Sequence, residues 1–135
     1  MKRFVPLLSL LLVLSGCQTA LVFTGSVETV DEGQGRAVAS VLDNDLKKEG
    51  FTEDPLPHTQ LPTGVAQISS WWNSQSSVLV EAITKQKEVS LRIVPQKGAN
   101  DASKAVAERI RMILVARFPN LKIQIIEKPE ADFLR

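Results

Sequence analysis

VLVEAIT at residues 78–84 and EVSLRIVP at residues 88–95 are the stretches that decide how this chain folds. Apolar and polar residues alternate through both stretches, which is the pattern of a strand with one buried face. Only three residues separate them, so the two stretches are predicted to form a β-hairpin.

Glu81 determines which face of this hairpin is buried. If Val80 faces the core, the carboxylate of Glu81 faces outward, whereas the opposite choice would bury that carboxylate without a partner at a large cost in free energy. Ser90 and Arg92 then lie outward beside Glu81, because a shift of one residue would invert the whole set. The residues expected in the core are Val78, Val80, Ala82, Val89, Leu91 and Ile93.

Two amphipathic helices flank the strands. The first is predicted at about 33–49, because Asp31 and Gln34 have capping-box spacing and Gly50 fits the left-handed position after the last turn. The second is predicted to be capped by Asn100 or Asp101 and to run to about Arg117. The apolar stripes expected to face the core are Val38, Val41, Leu42 and Leu46 in the first helix and Val106, Ile110, Ile113 and Leu114 in the second.

Residues 65–72 alternate as a further strand that ends in a tryptophan pair. Because adjacent strand residues point to opposite faces, one tryptophan faces the core and the other does not. Ala66 and Ile68 make the set that contains Trp72 the more apolar one. Trp72 is therefore predicted to face inward and Trp71 outward.

An outward Trp71 lies on the same predicted face as Leu79 and Ile83. An apolar patch of this kind often marks a binding surface, so these three residues are the candidate partner surface. The alternative is that the proline-rich loop 52–64 or residues 18–30 cover the patch.

The remaining segments complete an α+β fold. Residues 121–127 alternate as a last strand, residues 18–30 read as a tether or as an edge strand at about 21–28, and residues 129–135 form a C-terminal tail. The element order (β)-α-β-β-β-α-β predicts a two-layer sandwich, in which a mostly antiparallel sheet of about four strands carries two helices on one face. The domain is expected to span residues 31–128.

The sequence contains few candidates for catalytic or ligand-binding residues. His58 is the single histidine and lies in the proline-rich loop without ligand spacing around it, so no metal site is expected. No motif for a catalytic serine, a metalloprotease helix or a phosphate loop occurs, and no catalytic residue or cofactor is predicted. Without residues 1–16 the chain holds 14 basic and 15 acidic residues, a balance that gives no footprint for nucleic acid.

The N-terminus carries a more specific signal. Lys2 and Arg3 precede an apolar run of about ten residues, which is too short to cross a bilayer as a helix. The run ends in Leu14-Ser15-Gly16-Cys17, and Cys17 is the only cysteine in the chain. This stretch resembles the lipobox of bacterial lipoproteins.

The resemblance implies that residues 1–16 form a signal peptide and that Cys17 becomes the acylated N-terminus of the mature protein. Gln18 follows Cys17, whereas aspartate at that position tends to retain enteric lipoproteins at the inner membrane. The resemblance therefore implies an outer-membrane lipoprotein on the periplasmic side.

Three functions remain open at this point. The first is a non-enzymatic module that binds another envelope protein. The second is a binder of a small or lipidic envelope ligand, held between the sheet and the proline-rich loop. The third is a hydrolase whose site has no recognised motif.

Overall fold

The computed structural model describes residues 21–54, 60–96 and 100–129. Over these residues two helices lie with a six-stranded antiparallel sheet, so the α+β class is confirmed, although the sheet has six strands rather than about four. Cys17, His58 and the residues of the tail beyond Pro129 lie outside the described part. In chain order the elements are β1 (Leu21–Glu28), α1 (Glu32–Lys48), β2 (Thr52–Glu53), β3 (Val65–Asn73), β4 (Val78–Lys85), β5 (Glu88–Pro95), α2 (Asn100–Arg117) and β6 (Ile123–Pro129).

The strands are ordered β2-β3-β4-β5-β1-β6 across the sheet. β1 is the segment that the sequence left open as a tether or an edge strand, and it is not an edge strand. Phe23 lies opposite Ile93 of β5 on one side and opposite Glu127 of β6 on the other. The chain returns after α2 and adds β6 to the side of β1 that β5 leaves unpaired.

The hairpin of β4 and β5 has the predicted register. Glu81 lies opposite Arg92, and the alternate residues of both strands are buried. The guanidinium Nη1 of Arg92 lies 3.5 Å from Oε1 of Glu81, which pairs the carboxylate on the side of the sheet away from the core. The high cost of burying an unpaired Glu81 therefore predicts the buried faces of both strands correctly.

Both helices pack on the same side of the sheet, over one core. Leu42 and Leu46 of α1 and Ile110 and Leu114 of α2 are fully buried and join a single cluster with the inward residues of the sheet. Burial of apolar area at about 25 cal/mol per Å² makes this cluster the main stabilising contribution to the fold.

The two ends of α1 are closed by local hydrogen bonds. The N–H of Gln34 donates to Asp31 Oδ1, and Gln34 Oε1 accepts from the N–H of Val30, both at 2.8 Å. At the other end the N–H of Phe51 donates to the carbonyl of Leu46, and Gly50 takes a φ of +92°, as in a Schellman motif. These bonds satisfy backbone groups that the helix itself leaves unpaired.

Gly35 lets the first turns of α1 approach the sheet closely. A Cβ at this position would lie 2.8 Å from Cγ2 of Thr84 on β4 and 3.4 Å from Cγ2 of Val89 on β5. Glycine at this position therefore permits the close packing between helix and sheet.

Candidate functional site

The candidate site is the face of the sheet opposite the helices, which we call the outer face. Neither described helix covers it, because both pack on the core side. Leu79, Glu81 and Ile83 of β4 alternate with the buried residues of that strand and lie on the outer face, half-buried. Leu79 and Ile83 therefore occupy the face on which the sequence placed them.

The two tryptophans are exchanged relative to the prediction. Trp71 is only 1% exposed and belongs to the core, whereas Trp72 is half-buried on the outer face. The register explains this placement, since Trp71 lies opposite the inward Val80 and Trp72 lies opposite the outward Leu79. Trp71 therefore does not lie on the outer face, and Trp72 lies there beside Leu79.

The apolar content of β3 was misleading because part of its inward face is polar. Gln67 lies on that face, where its Oε1 accepts from Arg36 Nη1 of α1 at 3.2 Å and its Nε2 donates to Ser69 Oγ at 2.9 Å. A register shift between Val65 and Gln67 accompanies this polar end of the strand. The polar residues thus face the helix layer, and the more apolar set faces away from it.

Asp43 holds the buried indole in place. Trp71 Nε1 donates to Asp43 Oδ1 at 2.9 Å, and Lys47 Nζ donates to Asp43 Oδ2 at 3.0 Å. Desolvation alone would raise the pKa of Asp43, but the hydrogen bond from Trp71 and the hydrogen bond and charge of Lys47 together hold that pKa below its usual value. This contact is structural, because it lies between the sheet and α1.

The outer face carries two apolar rows that run across the strands. Trp72, Leu79 and Val94 are successive cross-strand neighbours and form what we call the Trp72 row. Ile68 and Ile83 are also paired, and we call them the Ile83 row. All five side chains are half-buried.

A polar row separates the two apolar rows. It contains Ser70, Glu81 and Arg92, which are successive neighbours on β3, β4 and β5. The Glu81–Arg92 ion pair therefore lies at the centre of the outer face, between two apolar strips. The sequence pattern predicts Leu79 and Ile83 on this face. It wrongly places Ile68 inward with Trp72, and it assigns no face to Val94, because both positions depend on the same register.

A cavity of about 460 Å³ lies on the other side of the sheet, beside α2. Its apolar lining comes from Phe23, Ala107 and Ile125, and its charged lining comes from both acidic and basic residues. Arg111 at this cavity already binds Glu108 at 3.0 Å and the carbonyl of Ile125 at 3.1 Å. The charged lining residues are Lys104, Glu108, Arg111 and Glu127.

The arginines of α2 are engaged in ion pairs. Arg109 Nε lies 2.8 Å from Glu49 Oε2, and Arg117 Nη2 lies 3.9 Å from Asp45 Oδ1, so both pairs connect α2 to the region of α1. The hydrogen bond and charge of Glu49 raise the pKa of Arg109. Arg109 and Arg117 therefore link α2 to the region of α1 through exposed ion pairs.

No group of three or more metal-ligating side chains comes together within residues 21–54, 60–96 and 100–129. Within the same residues, neither helix combines the length and the apolar character that a membrane crossing requires. The predicted cleft between the sheet and the proline-rich loop involves residues 55–59, which lie outside the described ranges.

Comparison with known proteins adds to this picture mainly at the N-terminus. No curated protein matches the chain significantly. Among solved structures the chain is similar to a de novo designed protein, Foldit4, with a TM-score of 0.47 and 15% sequence identity over 80% of this chain and 94% of that chain. Residues 1–18 match the family model of the prokaryotic membrane lipoprotein lipid attachment site, so the chain carries a bacterial lipoprotein lipobox, which supports a lipid-anchored lipoprotein.

Proposed function

We propose that this protein is an outer-membrane lipoprotein that faces the periplasm and binds another envelope protein without catalysing a reaction. The lipobox supports a lipid anchor, and Cys17 is the only cysteine that can carry it. Gln18, in place of an aspartate that would favour retention at the inner membrane, supports the outer membrane.

The observation that carries the binding proposal is the pair of apolar rows on the outer face. Neither helix of the described residues lies over this sheet face, which presents Trp72, Leu79 and Ile83 half-buried around the ion pair of Glu81 and Arg92. Binding energy at protein interfaces is concentrated in a few buried apolar and aromatic anchors, and charged pairs set their register. The outer face supplies both kinds of group within one surface.

The experiment is cross-linking in native envelopes followed by affinity purification, with Ile83→Asp as the test variant. A carboxylate in the Ile83 row would be desolvated by a bound partner, so the cross-linked adduct is expected to disappear. The matched control is Val115→Asp, which places the same charge at a side chain that is 51% exposed on α2. An adduct that survives in Ile83→Asp, or that is lost equally in both variants, contradicts the proposal.

Ligand binding is the second candidate, and the cavity beside α2 is the observation that favours it. Its volume of about 460 Å³ falls within the range of small-molecule sites, and its lining combines apolar and charged groups. Non-denaturing mass spectrometry of the purified protein tests it. A bound molecule is expected to be lost in Ala107→Met, which fills the cavity, and retained in Ala116→Met, which adds the same side chain at an exposed position of α2.

A further inference from the structure

The distance between the lipid anchor and the sheet is very short. Three residues, Gln18 to Ala20, separate Cys17 from Leu21, where β1 begins. Four steps of extended chain span at most about 14 Å. The headgroup region is about 5–8 Å thick on each side of the hydrocarbon, so the end of the sheet where β1 starts stays within reach of the headgroups.

The register shows which residues share that end of the sheet. Phe23 lies opposite Ile93, so the start of β1 lies beside the end of β5. Val94, near that end, is opposite Leu79, and Leu79 is opposite Trp72. The whole Trp72 row therefore lies at the end of the sheet next to the anchor.

The Ile83 row lies towards the other end. Ile83 lies four residues after Leu79 on β4, which corresponds to about 13 Å along the strand. Ile83 is opposite Ser90, and Ser90 is opposite Ser26, near the end of β1 that is remote from Cys17. The outer face is thus divided into an anchor-proximal and an anchor-distal apolar strip.

We propose that the Trp72 row rests on the phospholipid headgroups of the leaflet that holds the acyl chains of Cys17. This inference rests on the lipid anchor of the proposed function. It assigns the Trp72 row to the bilayer and leaves the Ile83 row and the Glu81–Arg92 ion pair to the protein partner. A tryptophan ring with an apolar body and one N–H group is suited to the boundary between headgroups and acyl chains. The polar turn that follows Trp72 and Asn73, with Ser74 and Gln75 exposed, presents groups that hydrogen-bond to headgroups or to water.

The acyl chains supply the affinity for the bilayer, because several chains exceed what stable anchoring needs. The Trp72 row then fixes the orientation of the domain on the surface rather than its attachment. In that orientation the Ile83 row is held away from the bilayer, where it is free to contact a protein partner.

A pair of thiol labels tests the orientation. The sulfur of Cys17 is occupied by lipid in the mature protein, so one introduced cysteine is a unique thiol. Gln75→Cys and Gln86→Cys are matched sites, since both glutamines are exposed in hairpin turns at opposite ends of β4, about 25 Å apart. Each is labelled with a fluorophore, and the lipidated protein is reconstituted into vesicles of phosphatidylethanolamine and phosphatidylglycerol that contain a headgroup nitroxide lipid.

Fluorescence at position 75 is expected to be quenched several-fold more than fluorescence at position 86. Equal quenching at the two positions, or stronger quenching at position 86, overturns the inference. The vesicles contain no other protein, so the result is independent of the envelope partner.

Tryptophan fluorescence in vesicles with brominated acyl chains gives a second measurement. Quenching by these lipids is expected in the wild-type protein and is expected to be lost in Trp72→Phe, in which the buried Trp71 remains as an internal reference. Quenching that is unchanged in Trp72→Phe overturns the contact.

Mass spectrometry of the same sample separates the two proposals. Acyl chains on residue 17 with no difference between the labels overturn the orientation alone. An unmodified residue 17 overturns the lipid anchor of the proposed function, and the orientation with it.

Discussion

The indole Nε1 of Trp71 donates a hydrogen bond of 2.9 Å to Oδ1 of Asp43, across the packing between β3 and α1. Trp71 is the largest of the fully buried side chains, and this bond satisfies its one polar atom. Asp43 in turn accepts from Lys47 on the next turn of the helix. The position of α1 on the sheet therefore depends on a buried aromatic ring and a partly exposed carboxylate.

Trp71→Ala is predicted to destabilise the domain strongly. Removing a fully buried tryptophan costs about 3–5 kcal/mol, because the cavity is only partly refilled. Trp72→Ala removes a half-buried ring from the outer face and is predicted to cost roughly 1 kcal/mol. Urea denaturation of the two variants measures the difference, and equal losses would show that both rings are buried to the same extent.

The free energy of unfolding of the domain is predicted to fall at low pH because Asp43 becomes protonated. The folded state holds the pKa of Asp43 below its ordinary value of 3.8, so the stabilisation from this group is complete above that value and is lost as the pH falls through the folded pKa. Asp43→Asn cannot ionise, and its free energy of unfolding is expected to vary less with pH below about pH 4. Urea denaturation from pH 2.5 to pH 6 tests this, and parallel curves for the two proteins would exclude the contribution.

Two glycines of α1 form a matched pair for a packing test. Gly35→Ala gains up to about 1 kcal/mol of helix propensity but forces its Cβ to within 2.8 Å of Thr84, an overlap that costs about 1–3 kcal/mol. Gly33→Ala meets only Asp31 Oδ1, at 3.4 Å. A lower melting temperature is expected for Gly35→Ala and an equal or higher one for Gly33→Ala. The opposite order would mean that α1 does not approach β4 as closely as described.

Cys17→Ala is predicted to abolish lipid attachment. The precursor would keep residues 1–16 and fail to reach its membrane, because the thiol that receives the lipid is absent. Gel mobility and membrane fractionation report on processing and location, and mass spectrometry of the wild-type mature protein reports on the acyl chains. A wild-type protein whose residue 17 carries no lipid contradicts the anchor.

Local sequence predicted the elements whose stability comes from nearby residues. The caps of α1 are set by Asp31, Gln34 and Gly50, and the face of the hairpin is set by one carboxylate, Glu81. Each of these features is determined by one residue and its near neighbours in sequence. The structure agrees with the prediction for each of them.

The pairing of strands that are distant in sequence could not be predicted from local sequence. The faces of Trp71 and Trp72 depend on the offset between β3 and β4, and an offset of one residue exchanges them. The polar Gln67 and Ser69 on the inward face are explained only when Arg36 of α1 is known to reach them. The interior position of β1 likewise depends on its pairing with β6, which is about one hundred residues further along the chain.

The interior position of β1 has a mechanical consequence. The chain leaving the lipid anchor enters the sheet between β5 and β6, and it is hydrogen-bonded to both. A force that draws the domain away from the membrane is transmitted at Leu21 along the axis of β1, so it loads both ladders in shear. An edge strand loaded along its axis would be held by one ladder of hydrogen bonds, whereas β1 is held by two ladders that must break together. The domain therefore resists unfolding under tension applied at its tether.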